Sequence, residues 1–527
     1  MSNKKYGGVP RGEMTDKELI QKQPDHNEQL KIKKVTEAQQ TQSPWRKYLM
    51  AVWAVLECLL FGGLVYGWGS LVFVFKKEGI YAELCSHRGD NSSNITIPAE
   101  NMSGVISCRE QDEKLQLAFT VGTTLMTISS PILGHIQYTS GTRMARIVLI
   151  CFFLCGSLVT AFLTTSTPWL VFLGLSCLAI GGLPIVITNI QVANLFAVGG
   201  STVVGLLCGS FDASAAVQLV VKIAYENGIS RQYSYLFISA LHVMVIFSTF
   251  VLLPKTFIPK VEPDKSDLDE AGEVVKALNE NDNPAVHSEE LPLRDVKPSL
   301  LNCTLSRVFL SHVFWLSVLQ LRFYYFIGTL NPWLNYITNQ EESLVSHYTN
   351  ASLFTQLGGV LTSLFCGFIY DLERRRNNSK PSITERRLQP SVVPLTLTSC
   401  LALLLSCLVL VPSAEVLYVD FIVLTFFRSF MYGTAAAFLQ MVFPADYFGF
   451  LYGMLIVISG VLGCVQYPLF IWLETPPKGP QKVNIFLLVL MFVSLIHPIN
   501  IWLNTKRGAN NIAESEYVFI AKRSKCF

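Results

Sequence analysis

Four charged side chains lie inside apolar stretches that are each about as long as a membrane span, namely Glu57, Asp212, Arg322 and Arg428. On insertion scales a charge at the bilayer centre costs about 2.5–3.5 kcal/mol. A chain that keeps several is expected to turn them toward one another or toward a shared polar interior. There a carboxylate can bind a solute N–H or carry a proton, and an arginine can neutralise it or line the route. These residues predict a transporter.

Neutral polar side chains accompany these charges. Gln320 and Gln466 lie near the middle of their stretches, and an amide both donates and accepts hydrogen bonds, which suits the edge of a neutral heterocycle. A tyrosine ring can stack on a planar base, a contact worth about 1–3 kcal/mol. For Glu57 the alternative is an ion pair with Arg322 or Arg428 that holds the helices together. The candidate substrate-binding residues are Glu57, Tyr66, Asn189, Gln191, Asp212, Gln320, Tyr325, Arg428, Tyr432 and Gln466.

Motifs of enzymes are missing from the sequence, which contains no Walker-type phosphate loop, no metal-ligand cluster and no nucleophile elbow. We therefore expect neither enzyme activity nor ATP-driven transport, and no cofactor or metal. The net charge of +3 does not indicate a nucleic-acid partner, because the basic residues cluster at the ends of the apolar stretches. The expected partners are a small-molecule substrate and the lipid bilayer, and we expect a monomer.

The composition indicates a membrane protein. Of the 527 residues, 51% are hydrophobic and only 15% are charged, whereas soluble proteins have about 25% charged residues. The apolar stretches are each about 20 residues or longer, enough for a helix to cross about 30 Å of hydrocarbon. They cover residues 48–75, 114–137, 146–165, 168–190, 201–223, 234–254, 309–330, 348–370, 393–412, 416–438, 449–473 and 482–504.

A polar segment, residues 255–308, divides these stretches into six and six. Its 261–300 part has eleven acidic and four basic residues, so we interpret it as a flexible cytosolic linker. Weak patterns recur between the two sides, since Gly205 and Gln218 correspond to Gly453 and Gln466 at one offset of 248 residues. The predicted fold class is an all-α polytopic membrane protein: twelve transmembrane helices in two pseudo-symmetric six-helix bundles, 48–254 and 309–504, as alternating-access carriers use.

Lysine and arginine predict the orientation. Residues 1–47 carry ten of them, and the 371–390 loop and the short loop with Arg143 and Arg146 are also basic. By the positive-inside rule these segments are cytosolic, and so are both terminal tails, 1–47 and 505–527. The 76–113 loop then lies outside, as expected for a multi-pass protein of the plasma membrane.

The 76–113 loop has two features of an oxidising compartment. Cys85 and Cys108 flank it, and three glycosylation sequons, at Asn91, Asn94 and Asn101, lie between them. We predict a disulfide between the two cysteines and glycans on the three asparagines. The alternative is a pair of free thiols.

The loops after the second and eighth stretches resemble the G-x-L-x-D-R-x-G-R/K signature of the major facilitator superfamily. The first copy keeps Arg143, but Tyr138 stands where the family has aspartate; the second keeps Gly367, Asp371 and Arg374. In that family the acid and the basic residues form a cytosolic latch between helices. The resemblance therefore implies gating roles for Asp371, Arg374 and Arg143, with any charge gate placed in the second half.

A more specific resemblance covers nearly all of the membrane portion. The chain is similar to solute carrier family 43 in the strings LEC (56–58), GWGSLVFVFK (67–76), TNIQVANLF (188–196), FDAS (211–214), FIGTLN (326–331) and RSFMYG (428–433). These strings point to the branch of equilibrative nucleobase carriers, whereas Arg322 resembles the branch that carries amino acids.

The resemblance implies facilitative, alternating-access transport of purine nucleobases such as adenine, guanine and hypoxanthine, independent of sodium and protons. The candidate residues are then expected to enclose a hydrated chamber halfway through the bilayer. Three alternatives stay open. They are a facilitator for large neutral amino acids, a proton-coupled carrier that uses Glu57 and Asp212, and a membrane receptor or scaffold.

Overall fold

The computed structural model describes residues 44–88, 108–196, 200–255, 258, 299–377, 383–411, 413–444, 447–473 and 479–507. Every regular element in these ranges is a helix, and none is a strand. Ten helices are long and apolar enough to cross a membrane, and two bent helix pairs bring the number to twelve. The predicted all-α polytopic fold is confirmed.

The twelve spans are named α1 to α12 and fall into two halves of six. The N-terminal half contains α1 (Trp45–Gly62 and Leu64–Lys77), α2 (Arg109–Gln137), α3 (Thr142–Phe162), α4 (Leu170–Leu195), α5 (Val203–Glu226) and α6 (Arg231–Leu252). The C-terminal half contains α7 (Arg307–Ile337), α8 (Glu342–Gln356 and Gly359–Asn377), α9 (Arg386–Leu408), α10 (Val416–Val442), α11 (Phe448–Leu473) and α12 (Pro480–Thr505).

Two helices extend well past the predicted apolar stretches. Helix α7 continues to Ile337 although its apolar stretch ends at residue 330, and α8 begins at Glu342 rather than at residue 348. Backbone hydrogen bonding does not require apolar side chains, so a helix can continue where the hydrocarbon ends. Hydropathy therefore located the spans but underestimated their length on this side.

Helix α1 bends by 43° at Gly63, directly after a π-helical turn over Cys58–Gly62. A Cβ on Gly63 would lie 2.7 Å from both the Phe211 carbonyl oxygen and the Ser214 hydroxyl. The Gly63 N–H donates to Ser214 Oγ over 2.5 Å. Glycine thus allows α5 to approach the backbone of α1 closely, and the freed backbone donor is satisfied by a side chain.

The two halves contact each other most extensively where α5 packs on α8 and α2 packs on α11, and further contacts join α1 and α2 to α7, α1 to α8 and α5 to α10. On α5, Gly205 lies opposite Ser363, whose hydroxyl donates to the Gly205 carbonyl over 3.1 Å, and Lys222 at the other end reaches Asn350. The contact therefore runs along nearly the whole of α5. The central residues of both halves are thereby enclosed between facing helices.

Cys85 and Cys108, the predicted disulfide pair, lie at bonding distance, with their Cα atoms 5.6 Å apart. The pair joins a 3₁₀ turn, Ala82–Arg88, to the residue that precedes α2. The sequons at Asn91, Asn94 and Asn101 and most of the 255–308 linker lie outside the described residues, and their predicted roles stay predictions.

Candidate functional site

An ion pair joins the two halves at the middle of the molecule. Arg428 of α10 places Nε 2.9 Å from Asp212 Oδ1 of α5, and its Nη1 donates to the Asp212 carbonyl oxygen over 3.1 Å. The Ser429 hydroxyl donates to Asp212 Oδ2 over 3.1 Å, and Gln356 of α8 accepts from Arg428 Nη1 over 3.3 Å. Both charged side chains are buried. Each compensates the other where water is excluded.

Aromatic rings surround the guanidinium of Arg428. Its Cζ lies 4.3 Å from the centre of the Tyr66 ring and 5.5 Å from that of Phe323. The Tyr66 hydroxyl is 3.4 Å from that of Tyr324, and the Tyr432 side chain lies beside both. Three tyrosines from α1, α7 and α10 therefore meet beside a planar cation that lies over an aromatic face.

The centre is closed in this conformation. The space beside the ion pair has a volume of about 0 Å³ for a water-sized molecule, whereas typical ligand clefts have ~300–1,000 Å³. Arg428 Nη2 has no hydrogen-bond partner among the described residues. The expected hydrated chamber is therefore not open here, and a solute would need the halves to separate. The space is lined by Asp212, Phe323, Gln356, Gly359, Leu424, Thr425 and Arg428.

Glu57 lies in a separate cluster inside the N-terminal half. Arg146 Nη2 donates to Glu57 Oε2 over 2.7 Å, and Asn189 Nδ2 donates to the same oxygen over 2.9 Å. The Ser248 hydroxyl donates to the other carboxylate oxygen, and Arg146 Nε donates to Thr249 over 2.8 Å. Neither Arg322 nor Arg428 takes part, so the expected partner of Glu57 is replaced by Arg146. Helices α1, α3, α4 and α6 are joined there.

Arg322 and Tyr325 point away from the ion pair. Arg322 Nε donates to Ser406 of α9 over 2.9 Å. Tyr325 packs with Leu469 and Val483 in an apolar cluster formed by α7, α11 and α12. These two predicted candidates therefore belong to the interior of the C-terminal half.

Gln191 lies at the end of α4, and its hydrogen-bond partners do not include the ion pair. Its Oε1 accepts from the Thr142 hydroxyl over 3.1 Å and from the Ile258 N–H over 3.0 Å. Its Nε2 donates to the Thr188 carbonyl over 2.7 Å. Gln191 thus fastens the start of the segment after α6 to the N-terminal half.

Gln320 and Gln466 are buried between the halves. Neither amide atom of Gln320 has a hydrogen-bond partner in the part of the chain that is described. Gln466 Nε2 donates to Thr123 of α2 over 3.3 Å, which links α11 to the other half. The structure therefore gathers Tyr66, Asp212, Arg428 and Tyr432 around one centre and places these two amides beside it on the same interface.

The residues predicted to gate the cytosolic side make no ion pair across the halves within the described ranges. Asp371 and Arg374 are exposed, and Arg143 lies over the Phe250 ring at 5.3 Å. Besides the central ion pair, charged side chains make contacts across the halves at the ends of α1 and α5. Lys77 pairs with Glu342.

Two neighbouring lysines strengthen this outer contact. Lys76 Nζ pairs with Asp112 and donates to Asn331 Oδ1 over 2.7 Å, and Lys222 Nζ donates to Asn350 Oδ1 over 2.7 Å. Lys76 and Lys222 are both buried. Together, Lys76, Lys77 and Lys222 tie α1 and α5 to α7 and α8, and they are named the outer lysine contact because the predicted orientation places this end outside.

Two residues of the interior are absent from the candidates chosen from the sequence. Arg146 supports only the orientation there, although it lies at the start of an apolar stretch, and Tyr325 is chosen over its neighbour Tyr324. A sequence pattern could have identified Tyr324. Gln320, Tyr324 and Gly328 are spaced four residues apart, which places them on one face of the helix. That spacing favours Tyr324, rather than Tyr325, as the ring that faces the opposite half.

Comparison with known proteins agrees with this architecture. The family model described as Major Facilitator Superfamily matches residues 112–467. The chain is 34% identical over 466 residues to equilibrative nucleobase transporter 1 of Bos taurus, covering 85% of this chain and 94% of that one. It is 25% identical over 523 residues to large neutral amino acids transporter small subunit 3 of Homo sapiens, and the match covers 86% of this chain and 92% of that protein.

Solved transporters share the fold. The nucleoside transporter NupG superposes with a TM-score of 0.52 at 13% identity, covering 86% of this chain and 99% of that one. A peptide transporter of the POT family, in complex with sulfate, superposes with a TM-score of 0.52 at 12% identity, and the match covers 86% of this chain and 94% of that one. The chain is a membrane transporter rather than an enzyme, and it belongs to the Major Facilitator Superfamily and, within it, to solute carrier family 43.

Proposed function

We propose that this chain is a facilitative carrier of purine nucleobases such as adenine, guanine and hypoxanthine at the plasma membrane, with both termini in the cytosol. The observation that carries the proposal is the Arg428 guanidinium lying 4.3 Å above the Tyr66 ring between the halves. A planar, polar group already occupies that aromatic face, so the face fits a planar heterocycle. The resemblance to a nucleobase transporter at 34% identity supports the same substrate.

The proposed cycle uses the ion pair between the halves. When the halves separate on one side, the Asp212–Arg428 contact loosens and the Tyr66 ring becomes free to stack on the base. Arg428 Nη2, which has no partner among the described residues, and the hydroxyls of Tyr324 and Tyr432 are then available to the base's edge. Rocking of one half against the other releases the base on the opposite side.

Charge balance supports transport without sodium or proton coupling. Asp212 and Arg428 compensate each other, and Glu57 receives hydrogen bonds from Arg146, Asn189 and Ser248. A neutral solute entering such a site needs no accompanying ion to balance the charge. Uptake is expected to be unchanged when sodium is replaced by choline or when the proton gradient is collapsed.

The second candidate is a facilitator for large neutral amino acids. The Asp212–Arg428 ion pair favours it. Once the halves separate, Asp212 could bind the ammonium group of an amino acid and Arg428 its carboxylate. The resemblance to an amino-acid transporter at 25% identity also supports it.

Radiolabelled adenine and leucine uptake, measured side by side in cells expressing this chain, tests the choice. We expect saturable adenine uptake that hypoxanthine and guanine inhibit, and no leucine uptake above that of untransfected cells. The matched control is Arg428→Gln at equal surface expression, which should abolish adenine uptake. Leucine uptake without adenine uptake would overturn the nucleobase proposal in favour of the second candidate.

A further inference from the structure

Three buried glutamines lie between the halves with most of their hydrogen-bonding capacity unused. Gln116 of α2 is 2% exposed, and Gln320 of α7 and Gln466 of α11 are both 0% exposed. Within the described residues, neither amide atom of Gln116 or Gln320 has a hydrogen-bond partner, and Gln466 Oε1 has none. The contact between Gln466 Nε2 and Thr123 is long, at 3.3 Å.

The three amides follow one seam formed by α2, α7 and α11. On α7 the Ser317 hydroxyl donates to Ser459 of α11 over 3.2 Å, and Tyr324 lies against Gly463 of α11. Gln320 is three residues from Ser317 and four from Tyr324, so it lies on the same face of α7. One turn further along that face, a Cβ on Gly328 would collide with the amide of Gln116.

Helix geometry spaces these amides along the seam. Gln116 lies against Gly328, one turn above Tyr324 on α7, and Gln466 lies about one turn above Gly463, which contacts Tyr324. Gln320 lies one turn below Tyr324 on α7. Gln116 and Gln466 therefore lie on one side of Tyr324 along the seam, and Gln320 lies on the other, about 10 Å from Gln466.

Unbonded amides destabilise the closed arrangement, because each lost its hydrogen bonds to water without gaining others. They would be satisfied when the seam opens around a polar solute. A glutamine amide presents a donor beside an acceptor, which complements a heterocycle edge that carries an acceptor beside a donor.

We propose that Gln116, Gln466 and Gln320 form a track of hydrogen-bonding positions along the α2–α7–α11 seam, by which a polar planar solute passes the level of Tyr324. The proposal rests on the proposed function for the identity of the solute. Gln116 and Gln466 receive the solute on the side of Tyr324 that faces the outer lysine contact. Gln320 releases it on the far side of Tyr324.

Methionine substitution tests the track, because Met resembles Gln in length and removes the amide. In the purified full chain, Gln116→Met, Gln320→Met and Gln466→Met are each expected to leave the thermal midpoint unchanged or raise it. In cells, adenine uptake should fall at least fivefold in each variant at equal surface expression. The matched control is Gln191→Met, whose amide atoms are all bonded, and its thermal midpoint should fall.

Two results would overturn the track. If the three variants lower the thermal midpoint as Gln191→Met does, the amides are structural contacts. If they keep full uptake, the solute passes elsewhere.

A solute-independent measurement separates this proposal from the proposed function. Gln320→Cys should react with a membrane-impermeant, positively charged thiol reagent above the wild-type background. Leu321→Cys, whose side chain packs with Leu469 in the apolar cluster, should not. If leucine rather than adenine is transported, the nucleobase proposal fails while labelling at position 320 still supports the track. Equal labelling of both cysteines, or of neither, contradicts the track whatever the substrate.

Discussion

Arg146 of α3 donates a hydrogen bond to Glu57 of α1 over 2.7 Å, and both side chains are completely buried inside the N-terminal half. This pair joins two helices of one half, whereas Asp212 and Arg428 join the two halves. A carrier that rocks its halves keeps the first pair and must break the second. The two buried ion pairs therefore have different consequences when they are removed.

Removal of Arg146 is predicted to destabilise the fold. Arg146→Met leaves the Glu57 carboxylate buried without its cation, which costs about 3–5 kcal/mol. We expect a markedly lower thermal midpoint in detergent and little protein at the cell surface. Combining it with Glu57→Gln should recover much of the loss, because no buried charge is then left uncompensated. A double variant that is as unstable as Arg146→Met alone would contradict the assignment of Glu57 as a structural partner.

Arg428→Lys tests whether transport needs only the positive charge of Arg428 or also its planar guanidinium. Lysine keeps the charge opposite Asp212 but loses the flat guanidinium that lies over Tyr66. We expect normal surface expression and about tenfold slower adenine uptake, equivalent to about 1.4 kcal/mol. Uptake kinetics at matched surface expression provide the measurement. Wild-type kinetics in this variant would mean that only the charge of Arg428 matters.

The Tyr66 ring is predicted to stack on the substrate. Tyr66→Leu removes the aromatic face and should raise the KM for adenine by about 5- to 150-fold, from a stacking contribution of about 1–3 kcal/mol. Tyr66→Phe keeps the face and loses only the long hydroxyl contact to Tyr324, so its KM should stay within about threefold of wild type. Equal effects of the two substitutions would exclude stacking on this ring.

Lys222 is predicted to hold the outer side closed. Lys222→Met removes the donors to Ser346 and Asn350 and should increase labelling of a cysteine introduced at Gln116 by an externally added, impermeant thiol reagent. Lys77→Met is the control, because the Lys77–Glu342 pair is partly exposed and contributes only about 0–1 kcal/mol. If Lys77→Met increases the labelling rate as much as Lys222→Met does, the exposed Lys77–Glu342 pair holds the outer side closed instead.

Glycosylation tests the predicted orientation. If the 76–113 loop is extracellular, glycosidase treatment should lower the apparent mass of the wild-type chain. The triple substitution of Asn91, Asn94 and Asn101 by Gln should remove that shift. A wild-type mass that the enzyme does not change would contradict the prediction that this loop carries glycans.

Hydropathy and short strings were sufficient for the overall architecture. The twelve spans, the six-plus-six division and the family follow from features that repeat locally along the chain. The Cys85–Cys108 pairing was also predicted, because both cysteines flank one polar loop. Helix ends were less well predicted, as α7 and α8 continue beyond the hydrocarbon.

The candidate site was only partly predictable. Asp212, Arg428, Tyr66 and Tyr432 were selected and are brought together, but Glu57, Gln191 and Tyr325 have other surroundings. A polar residue in an apolar stretch needs a partner, and this requirement does not specify which helix supplies it.

The amino-acid sequence by itself determined that this chain crosses the membrane as two related sets of helices, because the energy of transferring each segment into lipid is a sum over its own residues. Only the tertiary structure decided that Glu57 binds Arg146 and that Arg428 binds Asp212 and covers Tyr66. Those choices depend on the rotation of each helix and on glycines such as Gly63 that set how closely two helices approach. Both are properties of pairs of helices, and no single segment contains them.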